Sequence, residues 1–229
     1  MKASDLAALP LQVGSAVRHR RVFHPIGVLA RGRLERTAPP GVGLPVESTD
    51  VVARVSKGAG VPGALPDVIG LAVKMPPQAF AATAWDLLLV SAGSGLLTRF
   101  ALRPTLTWGG TAMTTLMPLR YEDAWWWVQA RLTTELEGGL SIDAVSEAIA
   151  NGGVTFELSQ ARGTGGFEPL ATLTLTEVVP TDEQHDVNFD PTRNSAPNVK
   201  LGPEWLTRLR ERAYWRSRKG RHAPGANPE

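Results

Sequence analysis

Arg210 and Tyr214 stand four residues apart near the end of the chain. On a helix that spacing puts two side chains on one face. A phenol ordinarily ionises at about pH 10, and a guanidinium one turn away favours the phenolate and lowers that value. A phenolate can ligate ferric iron. The plainer reading is a half-buried tyrosine packed on an arginine stem, and the pair alone does not separate the two. Arg221 lies two further turns along the same face if the helix continues through Gly220.

Two more groups near the start could do chemistry. His24 follows Arg21 and precedes an apolar stretch bounded by Gly27 and Gly32. Histidine titrates near neutrality and can move a proton between two oxygens of one substrate; alone, His24 reads as a packed residue at a strand edge. Arg54 and Ser56 alternate to one face of a strand, where a guanidinium and a hydroxyl could hold a carboxylate and orient a histidine.

The chain that must position these groups has 229 residues, 43% hydrophobic and 20% charged, which is globular composition and rules out wholesale disorder. No apolar run approaches the roughly 20 residues of a membrane span, and the amino terminus lacks the pattern of a signal peptide. The absence of cysteine excludes disulfides, thiolate metal sites and a cysteine nucleophile. Basic residues gather between Lys200 and His222; a basic helix can bind nucleic acid or anionic lipid or hold the carboxylates of a small ligand, and the plainer reading for most of these charges is a solvated helix face.

Apolar stretches at 26–34, 51–55, 71–75 and 85–90 read as strands, with 98–106 as a fifth. Stretches at 114–121 and 125–132 flank Glu122-Asp123-Ala124 as a hairpin, and 154–161 and 170–179 flank a second turn at 162–166. About eight or nine strands punctuated by glycine and proline predict a mainly β fold with some α, a closed antiparallel barrel of about eight strands. Ser141 caps a helix over 142–150. A second helix spans 203–221 and carries Tyr214, with Pro203 in its first turn. Residues 1–20 form a leading arm, 181–202 a polar connector, and 223–229 a frayed tail. The whole chain, 1–229, is expected to be one domain.

In this order the pieces resemble the haem catalase superfamily, from Arg21 to Arg221. Arg21, His24, Gly27, Gly32 and Leu34-Glu35 are similar to its opening motif, and Arg54-Val55-Ser56 to its Arg-Phe-Ser. The stretch from Ile69 to Met75 and Trp85-Asp86-Leu87 look like the next two motifs. Phe189-Asp190-Pro191 and Arg210-x-x-x-Tyr214 look like the last two. The resemblance implies haem b as cofactor, with Tyr214 as ligand to its iron and Arg210 keeping that phenolate ionised. It implies His24 as the acid and base, with Ser56 bonded to its ring. Arg21, Arg54 and Arg221 would face the haem propionates, since arginine forks suit carboxylates.

The chain departs from that pattern after Trp85-Asp86-Leu87. The family has Val-Gly-Asn-Asn there, and an asparagine helps bind peroxide; this chain has Leu88-Leu89-Val90-Ser91, so Val90 or Ser91 takes the place. The resemblance therefore implies a haem peroxidase or weak catalase acting on hydrogen peroxide or organic hydroperoxides with an unknown electron donor. The other readings are a non-enzymatic barrel for haem or an apolar ligand, and a haem-free hydrolase. No nucleic-acid partner is expected, and the location is expected to be cytoplasmic. Trp125-Trp126-Trp127 put indoles on one face of a strand, read as a covered barrel wall or as a face for a homo-oligomer.

Overall fold

Alternation of apolar and polar residues lets one face of a strand be buried while the other meets a different environment. The computed structural model describes residues 26–61, 65–79, 81–93, 95, 98, 101–180 and 187–202. In them this pattern gives β1 (Ile26–Arg36), β2 (Thr49–Lys57), β3 (Ile69–Met75), β4 (Trp85–Ser91) and β5 (Ala112–Thr114). There follow β6 (Leu119–Tyr121), β7 (Ala124–Leu132), helix α1 (Ile142–Asn151), β8 (Val154–Arg162), β9 (Glu168–Val179) and β10 (Lys200–Leu201).

The strands run β7-β5-β4-β3-β2-β1-β9-β8, and β8 pairs again with β7, closing an eight-stranded antiparallel barrel. Strands β6 and β10 extend the sheet beyond β7. Closure leaves those eight strands no open edge. The interior is packed with side chains: Val55, Leu71, Leu89, Met113, Val128 and Phe156 are all nearly inaccessible. At Gly32 the register of β1 against β9 shifts by one residue. A β-carbon there would overlap the backbone oxygen of Thr174, so the bulge requires glycine.

The expected barrel and both hairpins are present. Glu122 and Asp123 turn between β6 and β7 with φ of 47° and 58°, the two-residue turn whose twist suits a hairpin. Two boundaries differ from expectation. The described residues of 98–106 form no strand, only isolated bridges from Leu102 to Ala92 and from Thr105 to Asp67; Pro104 has no N–H for a ladder. The expected strand 114–121 is two short ones, β5 and β6, on either side of Pro118. Helix α1 starts as expected, with the Ser141 hydroxyl accepting from the Ala144 N–H at 3.3 Å. Its buried Val145 and Ile149 face the barrel.

One arginine organises the connection between β1 and β2. Arg36 Nε donates to the Ala38 carbonyl at 3.1 Å. Nη1 donates to Leu44 and Val46, both at 2.8 Å, and Nη2 to Pro39 at 3.0 Å and Val42 at 2.6 Å. The loop curls around a cation and turns Leu44 and Val46 into the core. Hydrogen bonds to charged groups contribute about 1.5–3 kcal/mol each at most, and they are not additive. Arg36→Ala is expected to destabilise the chain by about 2–4 kcal/mol, lowering its melting temperature by about 4–16 °C in a thermal scan. An unchanged melting temperature would remove this role.

Candidate functional site

The register of β1 to β4 sets out the site. Gly27 faces Ser56, Ser56 faces Gly70, and Gly70 faces Val90. One step along, Leu29 faces Arg54, Arg54 faces Ala72, and Ala72 faces Leu88. Directly opposed residues in a ladder point to the same side. The residues between them, Val28, Val55, Leu71 and Leu89, fill the core, so these two rows lie on the outer wall of the barrel.

That wall is covered all the same. Arg54 and Ser56 keep only 7% and 5% of their accessible surface, and Leu29 and Gly70 are buried too. The wall is made of small and aliphatic residues apart from one guanidinium and one hydroxyl. Gly27 is required at its edge: a β-carbon there would lie 2.7 Å from Ser56 Cβ and 3.1 Å from Arg54 Nε. The arginine thus crosses β1 where no side chain stands. An apolar wall of small residues with a guanidinium on it can receive an apolar ligand that carries a carboxylate.

Ser56 and Arg54, expected to share a face, do share it. Of the two residues expected at the asparagine position, Val90 lies on the same face as Ser56. Ser91 turns the other way, where its hydroxyl accepts from the Ile69 N–H at 3.1 Å and donates to the Arg103 carbonyl at 2.7 Å. Arg21, His24, Arg210, Tyr214 and Arg221 lie outside the described residues, as do the leading arm and the 203–221 helix.

A third row carries charge. Arg31 faces Val52, Val52 faces Lys74, and Lys74 faces Asp86. Asp86, with a fully buried side chain, pairs with Lys74 Nζ at 2.6 Å. Its second oxygen accepts from the Asp190 N–H and from Asn194 Nδ2, both at 2.7 Å. Lys74 also lies 5.5 Å from the centre of the Phe189 ring. Three stretches that looked like separate family motifs thus meet on one carboxylate, which ties the end of the connector to β4. Two further cations on this wall lie beside carboxylates, Arg31 by Glu177 at 2.9 Å and Arg33 by Asp50 at 3.0 Å.

Asp67, at the same end of the barrel as Ser56, binds the neighbouring loop. Its carboxylate accepts from the N–H groups of Ala59 at 2.8 Å, Val61 at 2.9 Å and Val68 at 2.7 Å. Burial opposes its ionisation, but the three donors and the Lys57 cation outweigh that cost and hold its pKa below the ordinary carboxylate value. Neither Asp67 nor the Lys74–Asp86 clamp is distinguishable in sequence from surface charge. Of the two outward indoles in β7, Trp127 is buried and Trp125 stays 39% exposed, lying beside Gly202 and under Arg120. No group of residues that could hold a metal ion occurs among the described residues.

No family model matches the chain, and no curated protein matches it in sequence. Solved structures do. A fungal catalase superposes with a TM-score of 0.67 at 12% identity, over 93% of this chain and 63% of its own. Catalase A from Saccharomyces cerevisiae gives 0.65 at 12% identity, over 90% and 61%. A bacterial catalase gives 0.62 at 14% identity, over 94% and 61%. The chain spans 61–63% of the length of those proteins.

Two outcomes are expected from these contacts. Asp86→Ala leaves the Lys74 ammonium without its carboxylate, and removing one partner of a buried pair costs about 3–5 kcal/mol. Limited proteolysis should then cut within 187–202 sooner than in wild type, and an unaltered cleavage pattern would contradict the clamp. For Asp67 the folded pKa is depressed, so its stabilisation is fully present above the unfolded value of about 3.9 and is lost as pH falls through the folded value. Asp67→Asn should melt below wild type at neutral pH, with the gap closing as pH drops below that range. A gap that persists in acid would refute the ionised role. By its closed eight-stranded sheet and its likeness to three solved catalases over nine-tenths of its length, the chain has the catalase barrel fold.

Proposed function

We propose that this chain binds haem b against the outer wall of β1 to β4 and acts as a peroxidase or weak catalase on hydrogen peroxide or organic hydroperoxides. The observation that carries the reading is the buried pair Arg54 and Ser56, held over Gly27 on a wall of small apolar residues, in a fold shared with catalases. The residue types suit the group: small apolar residues can meet a macrocycle, and the Arg54 guanidinium can meet a propionate. In this reading Arg21 and Arg221 supply the other cations, Tyr214 is the iron ligand, and Arg210 keeps its phenol ionised.

Bound haem supplies a redox-active iron at which a peroxide is reduced. The protein's own groups do the rest. His24 takes a proton from one peroxide oxygen and returns it to the other, the general acid and base role suited to imidazole. Ser56 bonds to the ring and fixes its orientation. Val90 cannot hydrogen-bond a second peroxide, which favours oxidation of an added donor over release of oxygen.

The test is haem uptake followed by optical spectroscopy of wild type, Arg54→Ala and Tyr214→Phe. Wild type should take up haem with a Soret band, and Tyr214→Phe should change or abolish its charge-transfer bands. Removing one partner of a buried charge pair costs on the order of 3–5 kcal/mol, so Arg54→Ala should lose haem to an apo-globin at least about a hundredfold faster. His24→Ala should keep haem while donor oxidation by peroxide slows by about 10²–10⁴. Absence of haem uptake by wild type would sink the proposal. Vigorous oxygen release with no donor oxidation would overturn the peroxidase preference.

A further inference from the structure

The row that begins at Gly27 and Ser56 continues around the barrel past Val90. Val90 faces Thr114 on β5, and Thr114 faces Gln129 on β7. Met113, Val128 and Ala130 fill the core between and beside them, so Thr114 and Gln129 are on the outer wall as well. Both are buried, at 0% and 4% exposure. Yet the Thr114 hydroxyl and the Gln129 Nε2 make no hydrogen bond. The amide orientation is set by its other end, since Gln129 Oε1 accepts from Arg131 Nε at 3.0 Å, and Arg131 is held in turn by the Gly110 carbonyl at 3.0 Å. What remains open is an amide donor and a hydroxyl that can both give and accept.

The two groups are on facing residues, whose β-carbons stand about 4.5–5.5 Å apart. Buried polar groups are satisfied in the great majority of cases, and exceptions point to a bound molecule or a functional role. An aliphatic pair at these positions would avoid the desolvation penalty, which is larger than the net gain from an ordinary hydrogen bond. We propose that Thr114 and Gln129 form a buried polar subsite beside Val90 that holds one water-sized hydroxylic molecule. Water and hydrogen peroxide share that chemistry: each can accept from the amide, and each can donate to or accept from the threonine. Only the hydrogen peroxide arm of the test rests on the haem reading above.

Thr114→Val keeps the shape and removes the hydroxyl. If the subsite held nothing, deleting an unpartnered buried hydroxyl would raise the melting temperature or leave it unchanged, and that result overturns the proposal. With a guest present, the substitution removes one of its hydrogen bonds, and the melting temperature should fall by about 2–4 °C. A crystal structure of the wild-type chain reads the same site independently of that variant's folding. Density within hydrogen-bond distance of both side chains is expected, and its absence counts against the subsite.

Peroxidase kinetics of the haem-loaded protein separate the two guests. A KM for hydrogen peroxide raised about five- to tenfold with kcat unchanged assigns the place to peroxide during turnover. An unchanged KM beside a lowered melting temperature assigns it to water. If the wild-type chain takes up no haem, the proposed function fails, while the melting comparison and the density still decide the subsite.

Discussion

Pairing of β7 with β8 closes the sheet on itself, and most other features of the molecule follow from that closure. In a closed barrel each strand has one face turned inward and one outward, and the side-chain period of two assigns every residue to one of them. The described interior of this barrel is filled largely by apolar side chains. Arg54 and Ser56 are buried on the outside of the barrel, not in its core.

The outer wall is graded along the strands. At one end stand glycines and aliphatic residues with Ser56. One step along is Arg54, and one step further Lys74 and Asp86. This order separates two uses of charge. The Lys74–Asp86 pair is satisfied within the protein and anchors Asp190 and Asn194. Arg54 lies one step away, beside the backbone of Gly27, and in the proposed function its charge meets a propionate. Both glycines of the first strand make space for a neighbouring backbone: a β-carbon at Gly27 would overlap the Val55 carbonyl oxygen and crowd the Ser56 side chain, and one at Gly32 would overlap the backbone of β9.

The likeness to three catalases extends over at least 90% of this chain but only 61–63% of theirs. At 12–14% identity it speaks to the fold and not to the reaction. What distinguishes this barrel chemically is local. An aliphatic residue, Val90, faces the site, while the neighbouring Ser91 is bound to backbone groups. Along the same row Val90 is followed by Thr114 and Gln129, which no motif had marked.

The sequence by itself determined the strands with strong alternation, the two hairpin turns, the capped helix after Ser141 and the shared face of Arg54 and Ser56. Each of these is a local property: period, cap chemistry and turn residues act within a few positions of the chain. The short strands around Pro118 and the absence of a strand in the described part of 98–106 were not legible, because pairing partners, and not propensity alone, decide short segments. Only the tertiary structure decided that Val90 and not Ser91 faces Ser56, since a shift of one residue in register exchanges the two faces. It also decided that Asp67 and Asp86 are buried hubs, that Arg36 gathers a loop, and that Thr114 and Gln129 are buried side by side with a hydroxyl and an amide nitrogen that make no hydrogen bond. Those outcomes depend on which strands become neighbours, and the spacing of residues along a chain carries no such information.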